Sequence, residues 1–248
     1  MQRLNGRRGS VFSVRLTDEE RARVEMMQRL DSGPRKIGPW MVWRALTAAV
    51  LPAREGSTPT AERVILDLCA GSGSWSAPYA AAGYDVRRIT LPDSDVRVMP
   101  ATVLPRRRVW GVLAAPPCNQ FSLARNGHEK RSPRDLVRGM EVVNACLRIV
   151  QQARPAWWAL ENPVGLLSRF LGTPRDVWNP CDFGDPWTKR TAIWGEYVIP
   201  ARGPFVKPLG SGPFCDVHPQ TPPRYCRHAD HRAKTPGGFA RAFFEANP

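Results

Sequence analysis

Cys118 is the residue of this sequence whose setting most favours chemistry. It follows Ala114-Ala115-Pro116-Pro117, an apolar run closed by two prolines whose rings fix the backbone, so its side chain is presented on an inflexible loop. A thiolate held in this way is a soft nucleophile that can add to the electron-poor C6 of a pyrimidine ring. The alternative use of a lone cysteine is as a small buried hydrophobe. Glu161-Asn162-Pro163 follows the apolar Trp157-Trp158-Ala159-Leu160, and a carboxylate ending such a strand either faces a cleft or serves as a loop or capping acid. Asp67-Leu68-Cys69-Ala70-Gly71-Ser72-Gly73-Ser74-Trp75 carries two glycines that permit a tight turn and a close approach of backbone to a ligand. A short Gly-x-Gly also occurs in ordinary turns.

These residues must be positioned by the elements around them. Apolar runs over 64–68, 86–91, 109–115, 157–161 and 191–194 alternate with helical stretches around 77–82 and 134–152. Such alternation predicts an α/β fold with a doubly wound, mostly parallel sheet over residues 63–248. The glycine segment joins the first strand to the first helix, where ligands of such sheets bind. Residues 52–62, polar and rich in breakers, read as a linker.

Ahead of the linker, residues 1–51 form a separate small module. Residues 11–16 alternate as a short strand, with Phe12, Val14 and Leu16 on one face and Val11, Ser13 and Arg15 on the other. Thr17 and Glu20 compose a capping box, Asp31-Ser32-Gly33-Pro34 breaks the helix it opens, and a second helix runs from about 39 to 51.

The sequence has 248 residues, a formal charge of +14 and a pI near 10.4. That length can bury a core without disulfides. The charge attracts polyanions, nucleic acid first among them, although a charged surface also serves solubility. Six scattered cysteines and no charged-then-apolar leader suit a reducing cytoplasm. No apolar run approaches the roughly 20 residues of a membrane span, so a soluble protein with no membrane partner is expected.

The Pro116-Pro117-Cys118-Asn119-Gln120-Phe121-Ser122 segment resembles the Pro-Pro-Cys-x-x-Phe-Ser motif of the cytosine-5 DNA methyltransferases. The order glycine loop, Cys, Glu-Asn, Arg along residues 63–195 is also that family's order, and the compact bacteriophage and prophage enzymes are the most similar, including "DFGDPWTKRTAIWG". The resemblance implies a Rossmann-like methyltransferase that moves a methyl group from S-adenosylmethionine to C5 of a flipped cytosine. It makes Cys118 the nucleophile, Glu161 the acid at N3 and Arg190 of Thr188-Lys189-Arg190 the contact to O2. It assigns the cofactor to Asp67, Cys69, Ala70, Gly71, Gly73, Trp75, Asp95 and Pro116, and contacts with DNA to Asn119 and Ser122.

The sequence departs from the family at several points. Cys69 stands where the family has an aromatic residue, and Thr90 where it has a carboxylate, for which Asp93 is the substitute. Asp93 and Asp95 also read as solvated loop acids. Thr235-Pro236-Gly237-Gly238-Phe239 resembles the family's closing motif and equally the start of any terminal helix.

The phrase "FSVRLTDEERARVEMM" resembles the ribbon-helix-helix repressors. That implies a homodimer through residues 10–51 whose strand ribbon enters the major groove with Arg15 and Ser13 toward the bases. A strand and helix pair packed on the catalytic domain is the alternative. Cys215, His218, Cys226, His228 and His231 could bind zinc, or serve as phosphate-facing histidines in a basic loop. Two further readings share these residues: an RNA cytosine-5 methyltransferase, and a DNA-binding regulator with an inactive methyltransferase fold.

Overall fold

The computed structural model describes residues 60–99, 108–123, 132–213 and 232–248. The chain divides into two units, Met1–Ala49 and Val50–Pro248, and every described residue belongs to the second. The expected strand-helix-helix module, with Ser13 and Arg15, lies outside the described residues. So does the Cys/His group at 215, 218, 226, 228 and 231.

The last residues of the expected linker, Thr60–Glu62, make a single 3-10 turn that leads into β1, Val64–Leu68. The elements that follow are α1 (Ala77–Ala81), β2 (Asp85–Ile89), β3 (Val109–Ala114), α2 (Pro133–Ala153), β4 (Trp157–Pro163), α3 (Ser168–Leu171), β5 (Asp176–Trp178), β6 (Trp187–Thr188), β7 (Thr191–Glu196), β8 (Gly210–Ser211) and α4 (Gly237–Ala246).

Six strands form one sheet in the order β2-β1-β3-β4-β7-β5. The β1–β2, β1–β3 and β3–β4 pairs are parallel, and β7 runs antiparallel between β4 and β5. The expected α/β class with a mostly parallel sheet is therefore the observed one. β1 and β3 are buried along their whole length, as strands covered on both faces must be.

Alternation divides the core between the two faces. Ile65, Leu113, Trp157, Ala159 and Ile193 pack with Tyr79 of α1 and with Phe239 and Phe243 of α4. Their sequence neighbours Leu66, Val112, Trp158 and Leu160 point to the other face, and α2 lies against β3. α2 opens with a full capping box, Ser132 accepting from the Asp135 amide while the Asp135 carboxylate accepts from the Ser132 amide. Its buried residues Val143, Cys146, Ile149 and Val150 recur at helical spacing. Among the described residues, no helix is long and apolar enough to cross a membrane.

Candidate active site at the carboxyl edge of the sheet

β2 lies on one side of β1 and β3 on the other, so the chain reverses its direction of travel across the sheet between β1 and β3. A crevice opens there beyond the carboxyl ends of the strands. The glycine loop leaves β1 and the Pro-Pro-Cys loop leaves β3, side by side. Leu68 and Ala114 are register partners, and the Ala115 amide donates to the Leu68 carbonyl at 3.0 Å. β4 continues the row, with Leu160 opposite Ala114, so Glu161 emerges one residue beyond, next to the Cys loop.

The Cys loop is clamped from two sides. Asn162, fully buried, donates through Nδ2 to the Pro116 carbonyl at 2.9 Å, which ties the Glu-Asn strand end to the Pro-Pro turn. The Phe121 and Ser122 amides both donate to the Cys118 carbonyl, at 2.9 and 2.8 Å, closing a tight turn immediately after the thiol. Phe121 is wholly buried, and its carbonyl accepts from the Leu166 amide at 2.9 Å. Gly165 is required at this contact, since a Cβ there would lie 2.3 Å from the Phe121 oxygen. Asn119 is exposed and Ser122 half-buried on the same loop.

β7 brings the third group. It pairs antiparallel with β4, Thr191 opposite Pro163 and Ile193 opposite Glu161, so the turn before β7 lands at the carboxyl end of β4. The Thr191 hydroxyl donates to the Lys189 carbonyl at 2.8 Å, and the Val164 amide donates to the Arg190 carbonyl at 2.9 Å, fixing the turn. Lys189 Nζ lies 3.9 Å from Glu161 Oε1.

The family resemblance gives Arg190, in this turn, the contact to O2 of the base. In the structure Arg190 is exposed and, among the described residues, makes no ion pair. Adjacent side chains of an extended segment point to opposite sides, so only one of the two cations can face Glu161, and it is Lys189. A lysine beside a matched arginine carried no separate signal in the sequence; only the β4–β7 register identifies it.

The electrostatics follow from this packing. Burial pushes the Glu161 carboxyl above its usual range, and the Lys189 ammonium draws it back down. The Cys118 thiol is raised by burial and by the negative charge of Glu161, while Lys189, its own backbone amide and Arg232 oppose that rise. The site thus brings a half-buried thiol, a half-buried carboxyl and an ammonium together at the carboxyl edge of the sheet.

The cofactor-side residues are brought together less completely. Gly71 and Gly73 both have left-handed φ, +51° and +73°. A Cβ at Gly71 would meet nothing within 4 Å, so the exposed side of the loop is open. The Gly71 amide donates to Thr90 Oγ1 at 3.3 Å, and Arg88 lies along the loop with Nη1 3.4 Å from the Ser72 carbonyl. Asp67 is buried beneath, accepting from the Ser76 hydroxyl, and burial raises it to about 6 against the lowering effects of Ser76 and Arg88. The residues before α4 reach this loop, the Thr235 amide donating to Ser74 Oγ at 3.0 Å.

Three of the expected cofactor residues have protein partners of their own. Trp75 is 2% exposed, and its ring packs on Phe239 and Phe243 with centroids 6.1 and 5.4 Å away, so it anchors the loop to the core instead of facing a ligand. Cys69 has φ +56°, and its sulfur lies 4.0 Å from that of Cys146 on α2. That thiol contact places Cys69 below the usual range and Cys146 well above it. The Asp95 carboxylate is engaged by its neighbour Arg97, with Nη2 at 2.6 Å and Nε at 3.0 Å from both oxygens, which lowers it below the usual carboxylate range. Ala70 remains in the loop and half-buried. No cluster of three or more metal-ligating side chains occurs among the described residues.

No family model and no curated protein matches the chain. Among solved structures, the chain is similar to a crystal structure described as a candidate DNA modification methyltransferase encoded within a prophage of E. coli. The identity is 17% and the TM-score 0.40, over 60% of this chain, which spans about half the length of that protein (53%).

Proposed function

We propose that the chain is a DNA cytosine-5 methyltransferase using S-adenosylmethionine, as the order of its sequence motifs implies. The observation that carries the reading is the meeting of Cys118 and Glu161 at the carboxyl edge of adjacent strands, next to the open glycine loop of β1. These groups are distant in sequence, and each suits one half of an addition to a pyrimidine. The open, left-handed Gly71 turn, with the Asp67 carboxyl beneath it, fits a cofactor approaching backbone, and Asp67, Ala70, Gly71 and Gly73 are the residues that would hold it. When bound, S-adenosylmethionine supplies an electrophilic methyl group.

The target base must leave the helical stack, because C5 and C6 are covered inside a duplex. Cys118, its thiol proton lost to solvent, forms a bond to C6 as thiolate, and the C5=C6 electron pair shifts toward C5. Glu161 holds the proton at N3 that stabilises the charge pushed into the ring, and the exposed Arg190 is available to O2. Once C5 carries the methyl group, loss of its proton restores the double bond and returns Cys118 as thiolate. Asn119, exposed, and Ser122, half-buried, are the residues of the clamped loop that would contact DNA. The charge of +14 favours a polyanionic substrate.

Bisulfite sequencing of DNA from cells expressing the chain tests the reading. Methylated cytosines should appear with the wild type and vanish with Cys118→Ala. DNA carrying 5-fluorocytosine should trap the wild type covalently, since fluorine cannot leave as the proton does. Unmethylated DNA together with no trapping would overturn the assignment.

A further inference from the structure

We propose that Lys189, not Arg190, is the cation of the Cys118–Glu161 pair: a positioning residue whose ammonium lies 3.9 Å from the Glu161 carboxylate and sets the charge balance in which both groups work. The inference rests on the nucleophilic role proposed for Cys118. It leaves Arg190 free to meet the base.

The geometry is fixed by backbone. Antiparallel pairing of β7 with β4 holds the Lys189 turn at the end of β4, and hydrogen bonds from Thr191 Oγ1 to the Lys189 carbonyl and from Val164 N to the Arg190 carbonyl pin its two peptide groups. Both partners are largely withdrawn from water, Lys189 with 21% and Glu161 with 12% of the side chain exposed. An ion pair so placed is screened little by salt.

Among the described residues, the charged groups acting on Cys118 are Glu161, Lys189 and Arg232, and the one acting on Glu161 is Lys189. A carboxylate beside the nucleophile disfavours the thiolate. Lys189 offsets that penalty and also opposes the rise that burial imposes on Glu161. A neutral residue at 189 would leave the thiol facing an uncompensated negative charge.

The test is the pH dependence of Cys118 alkylation by iodoacetamide in the full chain, followed on the Cys118 peptide by mass spectrometry. It is run with Glu161 in place, so that the carboxylate whose charge Lys189 offsets is present. Lys189→Gln should move the midpoint of the pH–rate curve up by about half to one pH unit, the size of effect expected from one nearby charge. Lys189→Arg should restore the original midpoint, whereas Arg190→Gln should leave it in place. An unmoved midpoint with Lys189→Gln, or an equal movement with Arg190→Gln, overturns the assignment. The readout needs neither DNA nor methyl donor. Unmethylated DNA and no trapping on 5-fluorocytosine DNA with the wild type, with the midpoint shift present, therefore overturn the methylation reading and leave the hold of Lys189 on the thiol standing.

Discussion

At the scale of single residues, two carboxyl groups carry opposite messages about pH. Asp67 is 1% exposed, and burial raises it from 3.8 to about 6. The native chain therefore binds this proton more tightly than the unfolded chain. The stabilising contribution is whole below pH 3.8 and lost as the pH climbs through about 6. The shift corresponds to about 3 kcal/mol at most. Asn at position 67 keeps an acceptor for the Ser76 hydroxyl without the charge, so Asp67→Asn should gain stability relative to wild type by up to that amount between pH 4 and pH 7. Urea unfolding at both pH values measures it, and a gap that does not change with pH would mean that the carboxylate stays hydrated. Glu161 acts on Cys118, the nucleophile we propose. Its charge raises the Cys118 thiol, so Glu161→Gln should lower the alkylation midpoint of Cys118 while slowing methyl transfer, because N3 loses its acid. A variant slow in both respects would indicate a disturbed loop instead of a lost charge.

At the scale of elements, the Cys loop depends on a close backbone approach, and the glycine loop after β1 on unusual dihedrals. Gly165→Ala would place a methyl group 2.3 Å from the Phe121 carbonyl, and neither backbone can yield without moving the turn that carries Cys118. A destabilisation of roughly 1 to 3 kcal/mol is expected, with trapping on 5-fluorocytosine DNA slowed beyond what the lost stability explains. Gly71→Ala meets no neighbour but must hold φ near +51°, at a cost of about 1 kcal/mol. Its added methyl group fills the open side of the turn, so S-adenosylmethionine binding should fall by more than melting does. Calorimetric titration beside thermal unfolding separates the two effects, and unchanged binding would show that the ligand does not approach this turn.

At the scale of the whole molecule, the charge of +14 would make the proposed DNA binding salt-dependent, each neutralised phosphate contributing about 0.9 to the slope of log K against log salt. If residues 10–51 pair as a ribbon-helix-helix dimer, the full chain should sediment as a dimer and a chain beginning at Ala53 as a monomer with a shallower slope. Arg15→Ala should then broaden site choice at a cost of about 1 to 3 kcal/mol of base discrimination, leaving turnover at saturating DNA unchanged. A monomeric full chain with the same site choice as the shortened one would assign residues 10–51 to packing alone.

The sequence by itself determined the α/β class, because strand and helix periodicities differ and each run was long enough to display its own. Cys118 and Glu161 were singled out by the resemblance of their segments to the Pro-Pro-Cys and Glu-Asn motifs, since the rigid Pro-Pro turn and the acid ending an apolar strand each also allow an ordinary structural use. What depends on register was not legible. That Lys189 lies beside Glu161 follows from which side of an extended turn faces β4, and two adjacent cations look alike until the β4–β7 pairing is known. Trp75 read as a ligand contact because it follows the glycine loop, yet its ring completes an aromatic core with Phe239 and Phe243, more than 160 residues later. Asp95 and Cys69 likewise sit at the expected positions but are engaged by Arg97 and Cys146. Position along a chain specifies which backbone reaches a site; only tertiary packing decides which side chains remain free to act there, because burial and pairing are settled by neighbours remote in sequence.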